Sequence, residues 1–165
     1  MILSDSTITR LCKEREIITP FIEEAVQPNS YDLHLGGDII VFDSEGNSHK
    51  EMLPYTLKKG EFILATTLER VNIPKGIAAQ VDGKSSIGRL GTLVHFTAGW
   101  IDTGFRGEIT LEMYNVLRPL QLYKGMAIAQ IIFMEAQFSK MYSGHYQDQS
   151  GATESWITHE KYRAA

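Results

Sequence analysis

The segment DGKSSIGRLG, residues 82–91, gathers residue types that bind phosphate. Lys84 and Arg89 supply positive charge, Ser85 and Ser86 supply hydroxyl donors, and the glycines leave backbone N–H groups accessible. Phosphate oxygens favour such a mixture of cations, hydroxyls and free N–H groups. The first glycine of the Walker pattern G-x-x-x-x-G-K-[ST] is missing. The segment therefore fits either a phosphate-binding loop of another kind or a polar turn between strands.

A second candidate for chemistry is Glu112, which lies in TAGWIDTGFRGEITLEMYN, residues 97–115. Ile109, Leu111 and Met113 alternate with polar residues there, which is the period of a β-strand. Glutamate is depleted in strands. A glutamate at this position either belongs to a solvated strand face, as most do, or is held in a ligand pocket.

Several catalytic classes find no support in the sequence. His49 and Glu51 form an H-x-E, but the P-C-x-x-C that zinc nucleobase deaminases need is absent. Cys12 is the only cysteine, which excludes an intramolecular disulfide and a thiolate zinc cage. No G-x-S-x-G elbow is present. The sequence predicts neither a zinc site nor any metal site built from protein side chains.

Length and composition predict one soluble globular domain over residues 1–165. The net charge is −4, 43% of the residues are hydrophobic and 22% are charged, which is ordinary for a folded chain. The mild acidity argues against a nucleic-acid partner. No signal peptide or membrane-spanning run is recognisable. With a single cysteine, a reducing cytoplasmic location is the expectation.

The hydrophobic pattern predicts an all-β fold preceded by one short helix. Ser4 is the expected N-cap of that helix, which carries Ile8, Leu11 and Cys12 at helical spacing. Period-two runs, separated by turns at glycine, indicate a sandwich or jelly-roll barrel. The expected strands are Tyr31 to Leu35, Ile39 to Phe42, Phe62 to Thr66, Ile77 to Val81, Leu93 to Thr97, Ile109 to Met113 and Ala127 to Phe133, and the turn glycines are Gly60, Gly76, Gly91, Gly107 and Gly125. From about residue 144 to 165 the composition is typical of a flexible tail or lid.

Five segments of the chain carry a family resemblance: QPNSYDLHLG, GKSSIGRLG, TAGWIDTGFRGEITLEMYN, KGMAIAQIIF and YQDQSGATES, in this order. They resemble the dCTP deaminase family of the dUTPase superfamily, in family order. A plain dUTPase resembles the middle segments but usually lacks the glutamate of T-L-E and the Y-x-x-Q tail. The resemblance implies a distorted dUTPase-like β-barrel, a homotrimer and active sites between subunits.

The same resemblance implies roles for individual residues. Glu112 becomes the deamination residue, Ser85 orients the attacking water, and Asp102 lies against the sugar. Backbone groups near Ala98 read the base edge, and Lys84, Ser86 and Arg89 surround the phosphates. The remaining implied nucleotide-binding positions are Ile87, Gly88, Thr110, Leu111, Gln130, Tyr142, His145 and Gln149, with His145 standing where the family usually has lysine.

The reaction implied is hydrolytic deamination of dCTP without a protein-bound metal, with Mg²⁺ carried by the triphosphate. Gly99 and Trp100 resemble the pair in bifunctional members, which cut the product onward to dUMP and pyrophosphate and so feed dTTP synthesis; Gln130 fits the same pattern. Three alternatives remain: a deaminase releasing dUTP, a dUTPase without deamination, and a non-catalytic nucleotide-binding trimer. Inhibition by dTTP is a further family expectation.

Overall fold

The computed structural model describes residues 1–137 and 140–158. Its regular elements are two α-helices, two 3₁₀ turns and twelve β-strands. The helices are α1 Asp5–Arg15 and α2 Ser85–Gly88, and the 3₁₀ turns are Glu23–Ala25 and Trp156–Thr158. The strands are β1 Ile18–Thr19, β2 Val26–Gln27, β3 Ser30–Phe42, β4 Ser48–Met52, β5 Tyr55–Leu57, β6 Phe62–Asn72, β7 Ile77–Gly83, β8 Thr92–Leu93, β9 Trp100–Ile101, β10 Arg106–Asn115, β11 Leu120–Leu122 and β12 Ala127–Glu135.

Helix α1 begins where the sequence predicts. The Ser4 side chain accepts a hydrogen bond from the backbone N–H of Thr7 at 3.4 Å, which satisfies one of the free donors of the first turn. The helix buries Ile8, Leu11 and Cys12 against the barrel. The predicted N-cap and apolar face are both confirmed.

Most strands form one curled sheet, in the order β8-β10-β6-β3-β12-β7-β9, in which β1 also pairs with β6, and β2 and β4 also pair with β3. Strands β5 and β11 pair separately. The curl encloses an apolar core whose fully buried members include Tyr31, Leu33, Ile63, Leu111 and Phe133. The all-β prediction is confirmed.

Strand β10 shows the predicted alternation most clearly. Ile109, Leu111 and Met113 are buried, whereas Thr110 and Glu112 are partly exposed on the other face. Because successive side chains of a strand point to opposite faces, burying Leu111 directs Glu112 away from the core.

Two local predictions were wrong. Residues 93–97 were expected to form a strand, but β8 stops at Leu93 and the chain then bends until Gly99, whose carbonyl oxygen accepts from the Val81 N–H at 2.7 Å. Gly107 was expected in a turn, but it lies inside β10. A Cβ on Gly107 would lie 3.0 Å from the carbonyl oxygen of Gln149, so glycine allows the C-terminal chain to approach β10 closely.

Residues 140–158, here called the C-terminal segment, lie against the first half of β10. Gln149 forms a parallel bridge with Gly107, and the Tyr142 N–H donates to the Thr103 carbonyl at 2.7 Å. The rest of the predicted tail, residues 159–165, lies outside the described residues. Among the helices in the described part of the chain, none is long and apolar enough to cross a membrane.

Candidate active site

A cavity of about 580 Å³ opens between β10, the 95–102 segment and the C-terminal segment. Apolar and aromatic side chains make up much of its wall, with a few polar groups among them, which is the usual make-up of a small-molecule site. Of the residues that the sequence predicts for the site, the cavity is lined by Ala98, Gly99, Trp100, Asp102, Thr110, Glu112, Tyr142 and Gln149.

Glu112 is positioned by the alternation of β10 and by one hydrogen bond. The Thr97 hydroxyl donates to Glu112 Oε2 at 2.7 Å. Thr97 comes from the bend after β8, so this bond ties the bend to the strand that carries Glu112. One carboxylate oxygen is held in this way, and the other faces no donor in the described part of the chain. The carboxylate is therefore oriented and can still exchange a proton with a bound molecule.

The Gly99–Asp102 stretch forms a second wall. The Trp100 indole N–H donates to Asp102 Oδ1 at 3.2 Å, which fixes the carboxylate relative to the ring. Gly99 lies directly against β7: a Cβ at this position would collide with the carbonyl oxygen of Val81. The backbone there leaves no room for a side chain.

The C-terminal segment supplies a third wall. Tyr142 packs edge-on against Phe105, with ring centroids 5.7 Å apart. The Gln149 side chain donates to the Glu108 carbonyl oxygen at 2.7 Å. Tyr146, Thr153 and Glu154 also line the cavity, and none of these three was predicted for the site.

His95 is the most informative lining residue that sequence reasoning missed. Its Nδ1 is buried and, within the described residues, is the one buried side-chain nitrogen or oxygen without a hydrogen-bond partner. Phe42 and Phe62 reach the same cavity from β3 and β6. The T-A-G-W segment just after His95 indicated that this part of the chain contributes to the site. Nothing in the sequence, however, linked the two phenylalanines to the cavity.

The predicted phosphate loop lies outside this cavity. Ser85, Ser86 and Arg89 are exposed, and the Ile87 side chain is buried in the core. Lys84 forms an ion pair with Asp32 at 2.5 Å. In a single copy of the chain, the residues predicted for the nucleotide site are therefore divided between the cavity and the exposed loop.

Three further predicted positions also lie away from the cavity. Leu111 is completely buried in the core. Gln130 lies on β12, where its side-chain oxygen accepts from the Ser30 hydroxyl at 3.4 Å. His145 stacks on Trp156, with ring centroids 3.6 Å apart.

The cavity is acidic. Asp102, Glu112 and Glu154 line it, whereas its lining in the described chain includes no lysine or arginine. Among residues 1–137 and 140–158, including those that line this cavity, no group of three or more His, Cys, Asp or Glu side chains is placed to hold a metal ion. An anionic ligand such as a polyphosphate would need cations from outside this wall.

Comparison with known proteins identifies the family. A family model described as dCTP deaminase-like matches residues 2–136. The protein named "dCTP deaminase, dUMP-forming" from Dictyoglomus turgidum is 40% identical over 94% of both chains. Proteins of the same name from Aquifex aeolicus and Methanoculleus marisnigri are 38% and 40% identical, over 95% of both chains in the first case and 100% and 99% in the second.

Solved structures share the fold. The 2'-deoxycytidine 5'-triphosphate deaminase from Agrobacterium tumefaciens matches with a TM-score of 0.72 at 23% identity, over 82% of this chain and 48% of that one. This chain therefore spans about half the length of that structure. A mutant dUTPase from phage phi11 of S. aureus, described as coordinating a structural Mg(II) ion, matches with a TM-score of 0.53 at 14% identity, over 77% and 89% of the two chains. From these matches, the chain belongs to the dCTP deaminase-like family.

Proposed function

We propose that this protein deaminates dCTP and hydrolyses the resulting triphosphate to dUMP and pyrophosphate. The observation that carries the proposal is Glu112, a strand glutamate that lines a ligand-sized cavity and is oriented by Thr97. The names of the relatives support both the substrate and the product, since each of the three is called a dUMP-forming dCTP deaminase.

Glu112 can perform the deamination by moving protons. It takes a proton from water as the water oxygen attacks C4 of cytosine, and it delivers this proton to the ring nitrogen N3. It then takes the second proton from the hydroxyl of the tetrahedral intermediate and delivers it to the departing amino group. Breaking the C4–N bond releases ammonia and leaves a carbonyl, and Glu112 is regenerated. General acid–base catalysis of this kind typically contributes about 10²–10⁴-fold.

The base would be recognised at the Ala98 end of the cavity. Cytosine presents an amino donor where uracil presents a carbonyl acceptor. Backbone groups that pair with the cytosine edge are left unpaired by uracil, which rejects the wrong base. We assign Asp102 to the sugar, where its carboxylate accepts a hydrogen bond from the 3′-hydroxyl.

The phosphates require a second copy of the chain in this proposal. The cavity is lined by three carboxylates, and the cations Lys84 and Arg89 lie outside its lining. Exposed Ser85, Ser86 and Arg89 can reach into the cavity of a neighbour. A cyclic trimer in which each loop completes the next cavity satisfies both observations, since cyclic symmetry gives every copy the same contact.

The second hydrolysis uses the Gly99–Trp100–Asp102 wall. Asp102, already oriented by the Trp100 indole, would help to activate the water that attacks the phosphate chain, which releases pyrophosphate and leaves dUMP. Mg²⁺ enters as part of the substrate, because phosphate oxygens are ligands that it prefers and it seldom needs a full protein cage. The bound ion would lower the negative charge of the phosphates.

Product analysis tests the proposal. The purified protein is incubated with Mg²⁺ and either dCTP or dUTP, products are separated by anion exchange, and Glu112→Gln serves as the control. We expect dUMP and ammonia from dCTP with little free dUTP, and at least about a hundredfold loss of deamination in Glu112→Gln. Accumulating dUTP would indicate a deaminase only, cleavage of dUTP alone a dUTPase, and binding without turnover a regulatory protein. A parallel series with dTTP measures inhibition.

Complementation tests the shared site. Glu112→Gln damages the cavity and Arg89→Ala damages the loop, so each variant alone should be inactive. Co-expressed in one cell with different affinity tags, they form mixed trimers in which about one third of the sites combine an intact cavity with an intact loop. Recovery of activity in the doubly tagged fraction supports sites between subunits. No recovery would mean that each chain builds its own site.

A further inference from the structure

We propose that Asp32 is a positioning residue that anchors Lys84 and thereby holds the 84–89 loop in place, so that Lys84 organises the loop and does not bind phosphate itself. The inference rests on the proposed function, because it concerns the loop assigned to the triphosphate. It also revises the sequence-based role of Lys84 as a phosphate ligand.

The Lys84 side chain turns inward. Its ammonium lies 2.5 Å from Asp32 Oδ2, and the two side chains are only 25% and 13% exposed. The Gln27 amide also donates to Asp32 Oδ2, at 3.5 Å. Ser85, Ser86 and Arg89, by contrast, are exposed.

The backbone of Lys84 is held as firmly as its side chain. Its N–H donates to the Ile128 carbonyl at 3.2 Å, and its carbonyl oxygen accepts from the N–H groups of Ile87 and Gly88, both at 3.0 Å. Lys84 therefore joins β7 to α2, of which it is the N-cap. The bond to Asp32 adds a third attachment, from the side chain, at the point where the loop leaves the sheet.

The anchor spans three strands. Asp32 on β3 pairs with Gln130 on β12, and Gln130 pairs with Asp82 on β7, two residues before Lys84. The ion pair thus links β7 to β3 across β12. Gln130, which does not line the cavity, lies between the two strands that the ion pair joins.

Charge supports the same division of roles. A lysine paired with a carboxylate forms a neutral unit that attracts a polyphosphate weakly, and separating a largely desolvated pair costs energy. Arg89, which forms no ion pair within the described chain, keeps its full charge available. The loop would then bind phosphate through Arg89, the two serine hydroxyls and backbone N–H groups.

Substitution of Asp32 distinguishes between the two alternative roles of Lys84, which are anchoring the loop and binding phosphate. If Asp32 anchors the loop, Asp32→Asn displaces the serines and Arg89 and weakens binding. If Lys84 instead leaves Asp32 to bind phosphate, Asp32→Asn frees the ammonium and tightens binding or leaves it unchanged. The two mechanisms therefore predict different results: weaker binding in the first case, and tighter or unchanged binding in the second.

The experiment measures the dissociation constants of dCTP and of inorganic tripolyphosphate by calorimetry over a range of KCl, in a Glu112→Gln background that prevents turnover. We expect Asp32→Asn and Lys84→Met each to raise both constants roughly ten- to hundredfold, since small displacements of binding groups have effects of that size. The double variant should be no worse than either single variant, because both changes break the same contact. Lys84→Arg should restore most of the affinity.

Salt dependence gives the second readout. Salt screens the attraction between phosphates and the charges that contact them, so Arg89→Met should flatten the salt dependence and Lys84→Met should leave it unchanged. Lys13→Met, which breaks the exposed pair with Glu23, is the matched control and should change nothing.

Three results would overturn the inference: tighter or unchanged binding in Asp32→Asn, additive losses in the double variant, or a flattened salt dependence in Lys84→Met. If Asp32→Asn does not fold, the inference is judged by the salt dependence of ligand binding in Lys84→Met alone. Tripolyphosphate separates this inference from the proposed function. If the unsubstituted protein converts neither dCTP nor dUTP, the proposed function is wrong, while the comparison of variants with tripolyphosphate still judges the anchor.

Discussion

In the barrel, Leu111, Ile63 and Ala65 are completely buried, whereas in residues 140–157 of the C-terminal segment Ala152 alone is buried. Apart from the packing of Tyr142 against Phe105, that segment is held by polar contacts. The Glu108 carboxylate accepts from the Gly151 N–H at 2.6 Å, and the Asp38 carboxylate accepts from the Ala152 N–H at 2.8 Å. Apolar burial stabilises the barrel, whereas the C-terminal segment is stabilised by hydrogen bonds that water can replace. The segment can therefore detach while the barrel stays folded.

The largest effect should come from the barrel. Leu111→Ala removes a fully buried side chain and should lower the free energy of unfolding by about 2–5 kcal/mol, measured by urea denaturation. The matched control is Met141→Ala in the C-terminal segment, where the side chain is 53% exposed; it should change stability by less than about 0.5 kcal/mol. Equal losses in the two variants would contradict the comparison.

Cys12 reports whether the barrel opens. Burial raises the pKa of its thiol from 9.0 to about 11. At pH 8 the reactive thiolate is then rarer than in an unfolded chain by roughly a hundredfold, and a thiol reagent should label Cys12 at the rate of barrel opening. Since the folded pKa is the higher one, the stabilisation from the neutral thiol is complete below pH 9 and is lost as the pH rises towards about 11. Cys12→Ala should lack this loss.

Glu108→Gln should loosen the C-terminal segment without opening the barrel. Glu108 also accepts from the Ser150 hydroxyl, at 3.2 Å, and loss of its charge should cost about 1 kcal/mol at these bonds. We expect faster hydrogen exchange at Gly151 and more rapid proteolysis within residues 144–155. Labelling of Cys12 should not accelerate; acceleration would mean that the segment and the barrel open together. Glu135→Gln on β12 is the control.

The smallest effect should come from Asp148→Asn. Asp148 pairs with Arg70 and Arg106, and the three side chains are 42–53% exposed. Exposed pairs of this kind contribute about 0.2–1 kcal/mol and are screened by salt. In Asp148→Asn, hydrogen exchange at the Gln149 amide should therefore be faster than in the parent protein at low salt, and the two exchange rates should converge at high salt. Glu14→Gln, which breaks the exposed Arg10–Glu14 pair on α1, should leave that exchange unchanged.

Local features were predictable from the sequence because their causes are local. The Ser4 cap depends on a hydroxyl three residues before an N–H, and the exposure of Glu112 follows from the period of β10. The resemblance to the deaminase family supplied Asp102 and Tyr142, and both line the cavity.

Features that depend on the curl of the sheet were not predictable in this way. Phe42 and Phe62 meet with ring centroids 5.8 Å apart because β3 and β6 pair, and no spacing in the chain indicates that they face the cavity. Lys84 and Asp32 are separated by 52 residues. The sequence identifies Lys84 as a cation near glycines. Its pairing with Asp32, however, depends on the side-by-side arrangement of β3, β12 and β7.

Gly99 limits which substitutions the wall beside Trp100 can accept. Any side chain there would collide with the carbonyl oxygen of Val81, in a place where the Val81 N–H also bonds to the Gly99 carbonyl. Any larger residue at position 99 would distort the junction of β7 and the 95–102 segment. Such a substitution becomes accessible only after compensating substitutions have moved that backbone, so the order of mutations matters. This position is therefore a point of epistasis.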